Sequence, residues 1–396
     1  MNHFKDYIII FGLIIIVAFG TFFIFFRDET IVLPPELEPV AEAVEPENNV
    51  EAQEIPSPEE IKGIYVTSWS ASKKNYVDYV IDIAKNTEIN GVVVDIKDWS
   101  GYVAYDTEVL EVEEYNAESI RIKDIGSLIQ RFHDEGIYVI ARITVFQDPI
   151  LAAARSDLAV HSKSESLWLD NLGLAWIDPA ATGSWGYNVS IAKEALKLGF
   201  DEVNFDYVRF PSDGNLRDMV FPFWDGITKR HLVIREFFKY LRQEIPYGTL
   251  SVDLFGLSAS ASNDLGVGQM LADAFEYFDY VCPMIYPSHY ATGFLGYLNP
   301  AEYPYEVVKY SMENALRRLS AYDKLLVRDV KLRPWLQDFN LGAVYDSEMV
   351  KSEMRAVYGA NQNDFAGFML WNSLNIYTKE ALQPAISEQD NSVNIK

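Results

Sequence analysis

At 396 residues the chain is long enough for two average domains or for one large (β/α)₈ barrel. Its formal net charge of -25 would repel a phosphate backbone, which argues against nucleic acid as a partner. Cys282 is the single cysteine, so the chain has neither an internal disulfide nor a cysteine cluster for zinc. The histidines form no H-x-H or H-E-x-x-H pair, and we therefore expect no metal and no other cofactor.

The N-terminal segment is apolar and uncharged from Tyr7 to Phe26, about 20 residues, which is the length of a membrane-spanning helix. No small-residue cleavage site follows it, so we predict an uncleaved signal-anchor. Lys5 and Arg27 flank the segment and nearly balance the positive-inside rule, with the amino terminus inside modestly favoured. This pattern predicts a cytoplasmic stub and transmembrane anchor over residues 1–27, with the remaining chain on the extracytoplasmic side of the cell membrane.

A composition change divides the rest of the chain. Residues 28–60 are rich in Glu and Pro and contain no Lys, Arg or aromatic residue, a composition that cannot form a core. We predict a disordered, extended linker here, because proline and like-charge repulsion both extend a chain. Folded structure is predicted over 61–385, and a disordered tail over 386–396.

Short β-rich runs alternate with amphipathic helical patterns from Ile61 onward, which is typical of parallel βαβ units. The predicted strands are Gly63–Thr67, Gly91–Ile96, Ile137–Arg142, Glu202–Tyr207, Leu250–Phe255, Tyr280–Ile285, Leu332–Gln337 and Gly367–Trp371. The helices predicted between them include Tyr76–Lys85, Ile125–Glu135, Ser184–Leu198, Lys229–Glu244, Tyr305–Leu319 and Ser347–Tyr358. Eight strands with intervening helices predict an α/β fold, a closed (β/α)₈ TIM barrel. A doubly wound open sheet is the structural alternative, although no nucleotide-binding glycine motif follows any strand.

Carboxylates follow two neighbouring strands of the predicted barrel, at the end where barrel active sites lie. Period two places Asn204 and Asp206 on one face of the fourth strand, and Asp206 toward the barrel mouth. Arg209 is close enough in sequence to pair with Asp206 and keep it ionised. The alternative interpretation is a buried Asp-Arg pair without a catalytic role.

Asp253 ends the fifth strand in the same way. Glycoside hydrolysis needs one protonated carboxyl group as an acid and one carboxylate as a nucleophile or base, so Asp206 and Asp253 are the predicted catalytic residues. The alternative for Asp253 is a capping residue.

Polar and aromatic side chains at the other strand ends are candidates for substrate binding. On the second strand, Asp95 and Lys97 share a face by period two, where they could neutralise one another. For the aromatic residues and His289, an ordinary structural role is the commoner alternative. The predicted substrate-binding residues are Asp95, Arg142, Arg209, Tyr286, His289, Trp335, Gln337, Asp338 and Trp371.

Six segments resemble motifs of a known family. They are Gly63–Thr67, Val94–Asp98, Trp176–Pro179, Phe205–Pro211, Met284–Tyr290 and Arg333–Phe339. Through them the chain resembles a family of predicted glycoside hydrolases, bacterial and archaeal barrels long classed as a domain of unknown function and related to the alpha-amylase-like glycosidases. The resemblance implies a TIM barrel, a carbohydrate substrate and Asp206 as the nucleophile. In amylase-like barrels the fifth strand carries a glutamate acid, where this chain has Asp253.

Two functions follow from these patterns. The first is a glycoside hydrolase or transglycosidase that acts on a cell-surface or extracellular polysaccharide or oligosaccharide. The second is a catalytically inactive, membrane-anchored glycan-binding protein. A metal-dependent hydrolase is least favoured, because the chain has no calcium-binding loop and no carboxylate-histidine set.

Overall fold

A computed structural model of the protein describes residues 60–322, 326–360 and 366–384. The predicted anchor over 1–27, the predicted linker except Glu60, and the predicted tail over 386–396 lie outside the described residues. Within the described ranges, no helix combines the length and the apolar character that crossing a membrane requires.

Eight parallel strands close into a barrel in which β1 pairs with both β2 and β8. All eight predicted strands are present, and the prediction of a TIM barrel is confirmed. The open-sheet alternative is wrong, because the pairing of β1 with β2 and β8 leaves the barrel without an open edge. The strands are β1 Ile61–Val66, β2 Gly91–Lys97, β3 Tyr138–Thr144, β4 Glu202–Asp206, β5 Leu250–Phe255, β6 Tyr280–Met284, β7 in two pieces, Lys331–Leu332 and Trp335–Gln337, and β8 Gly367–Trp371.

Strand β7 is divided at Arg333 and Pro334. Proline has no N–H to donate to a ladder, so regular pairing stops there and resumes at Trp335. The first piece pairs with β6 only, whereas the second pairs with β6 and β8.

Helices cover the outside of the barrel, and the six that the sequence predicts are all present. The helices are Ser68–Ala71, Lys74–Asn86, Leu110–Glu114, Ile125–His133, Pro149–Ala154, Trp185–Leu198, Arg230–Glu244, Leu271–Ala274, Pro304–Tyr322 and Ser347–Ala360. Long connections follow β3 and β4, and short strands in them, His161–Ser162 and Met219–Val220, pair with each other. Backbone pairing therefore links the two connections, which lie at the carboxyl ends of β3 and β4, where the barrel opens.

The apolar core has two parts. The larger lies between strands and helices, and the smaller fills the barrel with side chains such as Val93, Ile140 and Met369. A fully buried ion pair, Glu202–Arg333, lies at the opposite end of the interior from the mouth. Parallel strands that are buried on both faces carry nearly continuous apolar runs, so the polar residues inside this barrel need a specific explanation.

Candidate active site

A cavity of about 260 Å³ opens at the carboxyl ends of the strands. That volume is close to the lower end of the range for ligand pockets. Both predicted catalytic residues line it, Asp206 from the end of β4 and Asp253 from β5. The two residues are 4% and 1% exposed, so each carboxyl group depends on neighbouring protein groups rather than on bulk water.

Arg142, on β3, lies between three carboxyl groups. Its Nη1 donates to Asp95 Oδ1 at 2.6 Å, its Nη2 pairs with Asp206, and its Nε lies 3.6 Å from Asp253 Oδ2. The predicted pairing of Asp206 with Arg209 is therefore wrong. Adjacent parallel strands bring Arg142 to Asp206, and the guanidinium supplies the positive charge that a buried carboxylate needs.

The chain turns sharply after β4. Tyr207 has φ 54°, in the left-handed region that side chains other than glycine rarely occupy. This turn directs Arg209 away from Asp206 and places its guanidinium over the rings of Trp176 at 4.8 Å and Phe255 at 4.7 Å. Arg209 still lines the cavity, at a different part of the wall.

The two catalytic candidates occupy different electrostatic environments. Asp206 accepts hydrogen bonds from the charged Arg142 and from the Tyr207 N–H at 2.5 Å. Asp253 Oδ1 accepts from Asn204 Nδ2 at 2.9 Å and from Trp335 Nε1 at 2.8 Å. Burial, and then the negative charge of Asp206, raise the pKa of Asp253 to about 7, although Arg142 acts in the opposite direction. A pair of carboxyl groups in such unlike surroundings can divide into one acid and one ionised base or nucleophile.

Asp95 does not line the cavity. It lies on the far side of Arg142 and accepts a hydrogen bond from the Tyr65 hydroxyl, and burial raises its pKa to about 6. A register irregularity between Asp95 and Lys97 turns the lysine out of the barrel, where it pairs with Asp148 at 2.7 Å. The prediction that Asp95 and Lys97 share a face is therefore wrong, because the bulge breaks the period of two.

Comparison with family models identifies the chain. A model described as "Putative glycosyl hydrolase domain" matches residues 63–377. The chain belongs to that family. This glycosyl hydrolase domain therefore includes all eight barrel strands, apart from the first two residues of β1, and both candidate carboxyl groups. Among curated proteins no significant match is found.

Solved structures similar to this glycosyl hydrolase domain include the glycoside hydrolase domain of PgaB (BpsB) from Bordetella bronchiseptica. It is 13% identical with a TM-score of 0.58, and the match covers 80% of this chain and 95% of that one. A hypothetical protein from Ruminiclostridium thermocellum is 39% identical over 48% of this chain and 96% of its own, with a TM-score of 0.45. The spore cortex-lytic enzyme SleL from Bacillus megaterium is 10% identical over 82% of this chain and 74% of its own, with a TM-score of 0.48. The PgaB likeness supports the barrel fold and leaves the chemistry to the site itself.

The cavity of the glycosyl hydrolase domain gathers most of the residues that the sequence singles out. Those on its wall are Arg142, Asp206, Arg209, Asp253, Tyr286, His289 and Trp371. His289 is half-buried beside Tyr286, and burial lowers its pKa to about 4, so its imidazole is neutral at pH 7. A neutral imidazole can accept as well as donate a hydrogen bond, which suits contact with a sugar hydroxyl.

Three other predicted substrate-binding residues are away from the cavity wall and have protein partners. Trp335 is fully buried, and its indole N–H donates a hydrogen bond to Asp253. Gln337 accepts from Ser288 and donates to a backbone carbonyl. Asp338 accepts from both the N–H and the hydroxyl of Thr378, which ties β7 to the segment after β8.

Three residues at or beside the cavity are not among the predicted site residues. Tyr65 and Asn204 contact Asp95 and Asp253 directly, and both lie on strand faces that period two would direct inward. Asp170, in contrast, reaches the cavity from the long connection after β3, and no periodic pattern indicates where such a loop folds.

No metal site is found within the described residues, where groups of three or more His, Cys, Asp or Glu side chains suited to an ion are absent. Two acidic residues of the cavity, Asp206 and Asp253, instead contact Arg142.

Trp371→Ala should weaken glycan binding more than folding. The ring ends β8, lines the cavity and stacks on Tyr65 at a centroid distance of 3.9 Å, which holds it rigidly for contact with a sugar. We expect affinity to fall about threefold to tenfold. Calorimetric binding and urea unfolding measure the two effects. A loss of about 3 kcal/mol of stability or more, with affinity unchanged, would assign Trp371 to the core.

Trp185→Ala is the matched control. Trp185 packs against Phe237 in the core between strands and helices. Its loss should reduce stability and leave the affinity of the folded protein unchanged.

Proposed function

We propose that the protein is a membrane-anchored, extracytoplasmic glycoside hydrolase or transglycosidase of a cell-surface or extracellular polysaccharide. The observation that carries the proposal is the pair Asp206 and Asp253, two carboxyl groups that contact one guanidinium in unlike surroundings at the mouth of the barrel. Residues 7–26 would anchor the chain, and the acidic linker over 28–60 would hold the barrel away from the membrane.

In the proposed reaction Asp253 is the general acid. Its Oδ1 accepts two hydrogen bonds from the protein, which leaves Oδ2 to carry the proton. Oδ2 would donate that proton to the glycosidic oxygen as the bond to the sugar breaks. Asp206, held by Arg142, would attack the anomeric carbon or activate the attacking water. A water acceptor gives hydrolysis, and a sugar hydroxyl gives transglycosylation.

A glycan-binding protein without catalysis is the second candidate. It is favoured by one observation, that both oxygens of Asp206 already accept hydrogen bonds from the protein. A structural carboxylate would have the same environment. Turnover separates the two candidates, since a binding protein would retain glycan affinity and release no product.

The pH dependence of activity tests the role of Asp253. An acid with a pKa of about 7 is protonated below that pH and loses its proton above it, so kcat/KM should fall as pH rises through about 7. Trp335→Phe removes a donor that stabilises the ionised form, and the alkaline limb should therefore move to higher pH. Asp253→Asn should remove most activity at every pH. An Asp253→Asn variant with full activity, and with the same fall of kcat/KM above pH 7 as the wild type, would contradict the assignment.

A further inference from the structure

The wall of the cavity contains a buried cation, Arg209, with no carboxylate in direct contact among the described residues. Arg209 is 7% exposed, and its Nη1 donates to the Phe210 carbonyl at 3.2 Å and to Ser212 Oγ at 3.0 Å. Within the described part of the chain, Arg209 forms no ion pair with any Asp or Glu. Burial lowers its pKa, which reflects the cost of holding the charge there.

Three aromatic rings hold the Arg209 guanidinium in place. Its central carbon lies over the rings of Trp176 at 4.8 Å, Tyr207 at 5.0 Å and Phe255 at 4.7 Å. These contacts hold the guanidinium close to the rings without using its N–H groups as hydrogen-bond donors to an acceptor atom. Nε and Nη2 have no acceptor among the described residues and are not sealed away from the cavity. The group is thus a fixed cation with unused donors at the cavity wall.

Three acidic residues act on Arg209 through their charge, Asp206, Asp213 and Asp170, but each accepts its hydrogen bonds from other groups. Asp206 is paired with Arg142. Asp170 accepts hydrogen bonds from two backbone N–H groups and an indole, and Asp213 accepts one from a backbone N–H. A ligand anion would therefore accept hydrogen bonds from Arg209 N–H groups that bind no protein carboxylate.

We propose that Arg209 binds the anionic group of an acidic glycan, so that the substrate class of this site is a polysaccharide with carboxylate-bearing sugars. The inference rests on the proposed function and deepens it. A carboxylate presents two oxygens in a plane, which match the two free in-plane donors of a guanidinium. A sulfate ester offers the same charge and hydrogen-bond chemistry, and the experiment distinguishes the two sources.

The overall charge of -25 repels a polyanionic glycan at long range, and salt reduces that repulsion. Repulsion between exposed charges is largely screened beyond about 10 Å at 0.1 M salt. The contact with Arg209 is made inside the cavity, where a charge-assisted hydrogen bond acts at short range against the opposing carboxyl groups of Asp170 and Asp213.

The test compares acidic glycans with neutral counterparts of the same skeleton. Oligogalacturonate, oligomannuronate and hyaluronan oligosaccharides are each titrated calorimetrically beside their carboxyl-reduced forms, and a sulfated neutral oligosaccharide forms a separate arm. The proteins are the wild type, Arg209→Gln, Arg209→Lys and the matched control Arg230→Gln. Arg230 also has three aromatic rings around its guanidinium but lies away from the cavity.

We expect the wild type to bind at least one uronate oligosaccharide at least about tenfold more tightly than its reduced form, as a charge-assisted hydrogen bond allows. Arg209→Gln should abolish that difference, Arg209→Lys should retain part of it, and Arg230→Gln should retain all of it. A preference for the sulfated glycan that Arg209→Gln abolishes would identify sulfate as the anion bound there. Equal binding of acid and reduced forms by the wild type, no binding of any anionic glycan, or an equal loss in Arg230→Gln would overturn the proposal.

Reducing-end release, recorded in the same samples, keeps this test separate from that of the proposed function. The wild-type comparison also needs no variant, so it remains decisive if Arg209→Gln fails to fold. Tight uronate binding without product would leave the Arg209 assignment standing and contradict the hydrolase. Product from neutral glycans alone would support the hydrolase and contradict the Arg209 assignment.

Discussion

Asp206→Asn should lower turnover by about a thousandfold or more while the protein stays folded. The substitution keeps the shape of the side chain and removes the charge and basicity that a nucleophile or base requires. The Tyr207 N–H and Arg142 contact different oxygens of Asp206, so the amide oxygen can accept from one of them, and Arg142 keeps its contacts with Asp95 and Asp253. Turnover per folded molecule and melting temperature are to be measured together.

Asp338→Asn is the matched control for that variant. Asp338 is also a buried carboxyl group just after a barrel strand, but it binds Thr378 and lies away from the cavity. It should lose stability without a loss of turnover per folded molecule. If Asp206→Asn behaved like Asp338→Asn, the acidic group at position 206 would be structural.

Arg142→Met should cost about 3–5 kcal/mol of stability at pH 8, because removal of one partner leaves buried charges uncompensated. Arg142 is 4% exposed and contacts Asp95, Asp206 and Asp253. Arg121→Met is the control, since among the described residues Arg121 pairs with one carboxylate, Asp98, and should cost less. Urea unfolding measures both.

The loss of folding stability caused by Arg142→Met, called the deficit here, should increase as pH rises. Burial already raises the pKa values of Asp95 and Asp253 to about 6 and about 7, and Arg142 lowers both. Without Arg142 both folded-state pKa values rise further above those of the unfolded chain. The folded variant then binds more protons than the unfolded chain, so stability falls as pH rises through 6 and 7. At pH 5 the deficit should be much smaller, and a deficit equal at pH 5 and pH 8 would contradict this account.

Periodicity was sufficient to predict the barrel. Strands such as Gly91–Lys97 and Leu250–Phe255 are short apolar runs between helical patterns, and the hydrophobic effect alone requires them to be buried on both faces. The same period of two directed Asp206 and Asp253 to one end of the barrel, where the cavity lies. Local patterns therefore sufficed wherever the backbone remained regular.

The partners of these residues could not be predicted where the backbone is irregular. Arg209 is near Asp206 in sequence, but the left-handed turn at Tyr207 separates them, and the actual partner, Arg142, is 64 residues away. The bulge after Asp95 likewise moves Lys97 out of the barrel. A turn or bulge of one residue is set by tertiary packing, and neither has a strong signature in the sequence.

Release of reducing ends, or a change in chain length, in a polysaccharide panel treated with the barrel domain, residues 61–385, tests the central claim most directly. The panel includes neutral, uronate and sulfated polymers, and the Asp206→Asn and Asp253→Asn variants are run beside the wild type. We predict product from the wild type with at least one polymer, and a loss of about a thousandfold or more in the turnover per folded molecule of both variants. A wild type that binds a polymer and releases no product, or variants that retain wild-type turnover, would contradict the account.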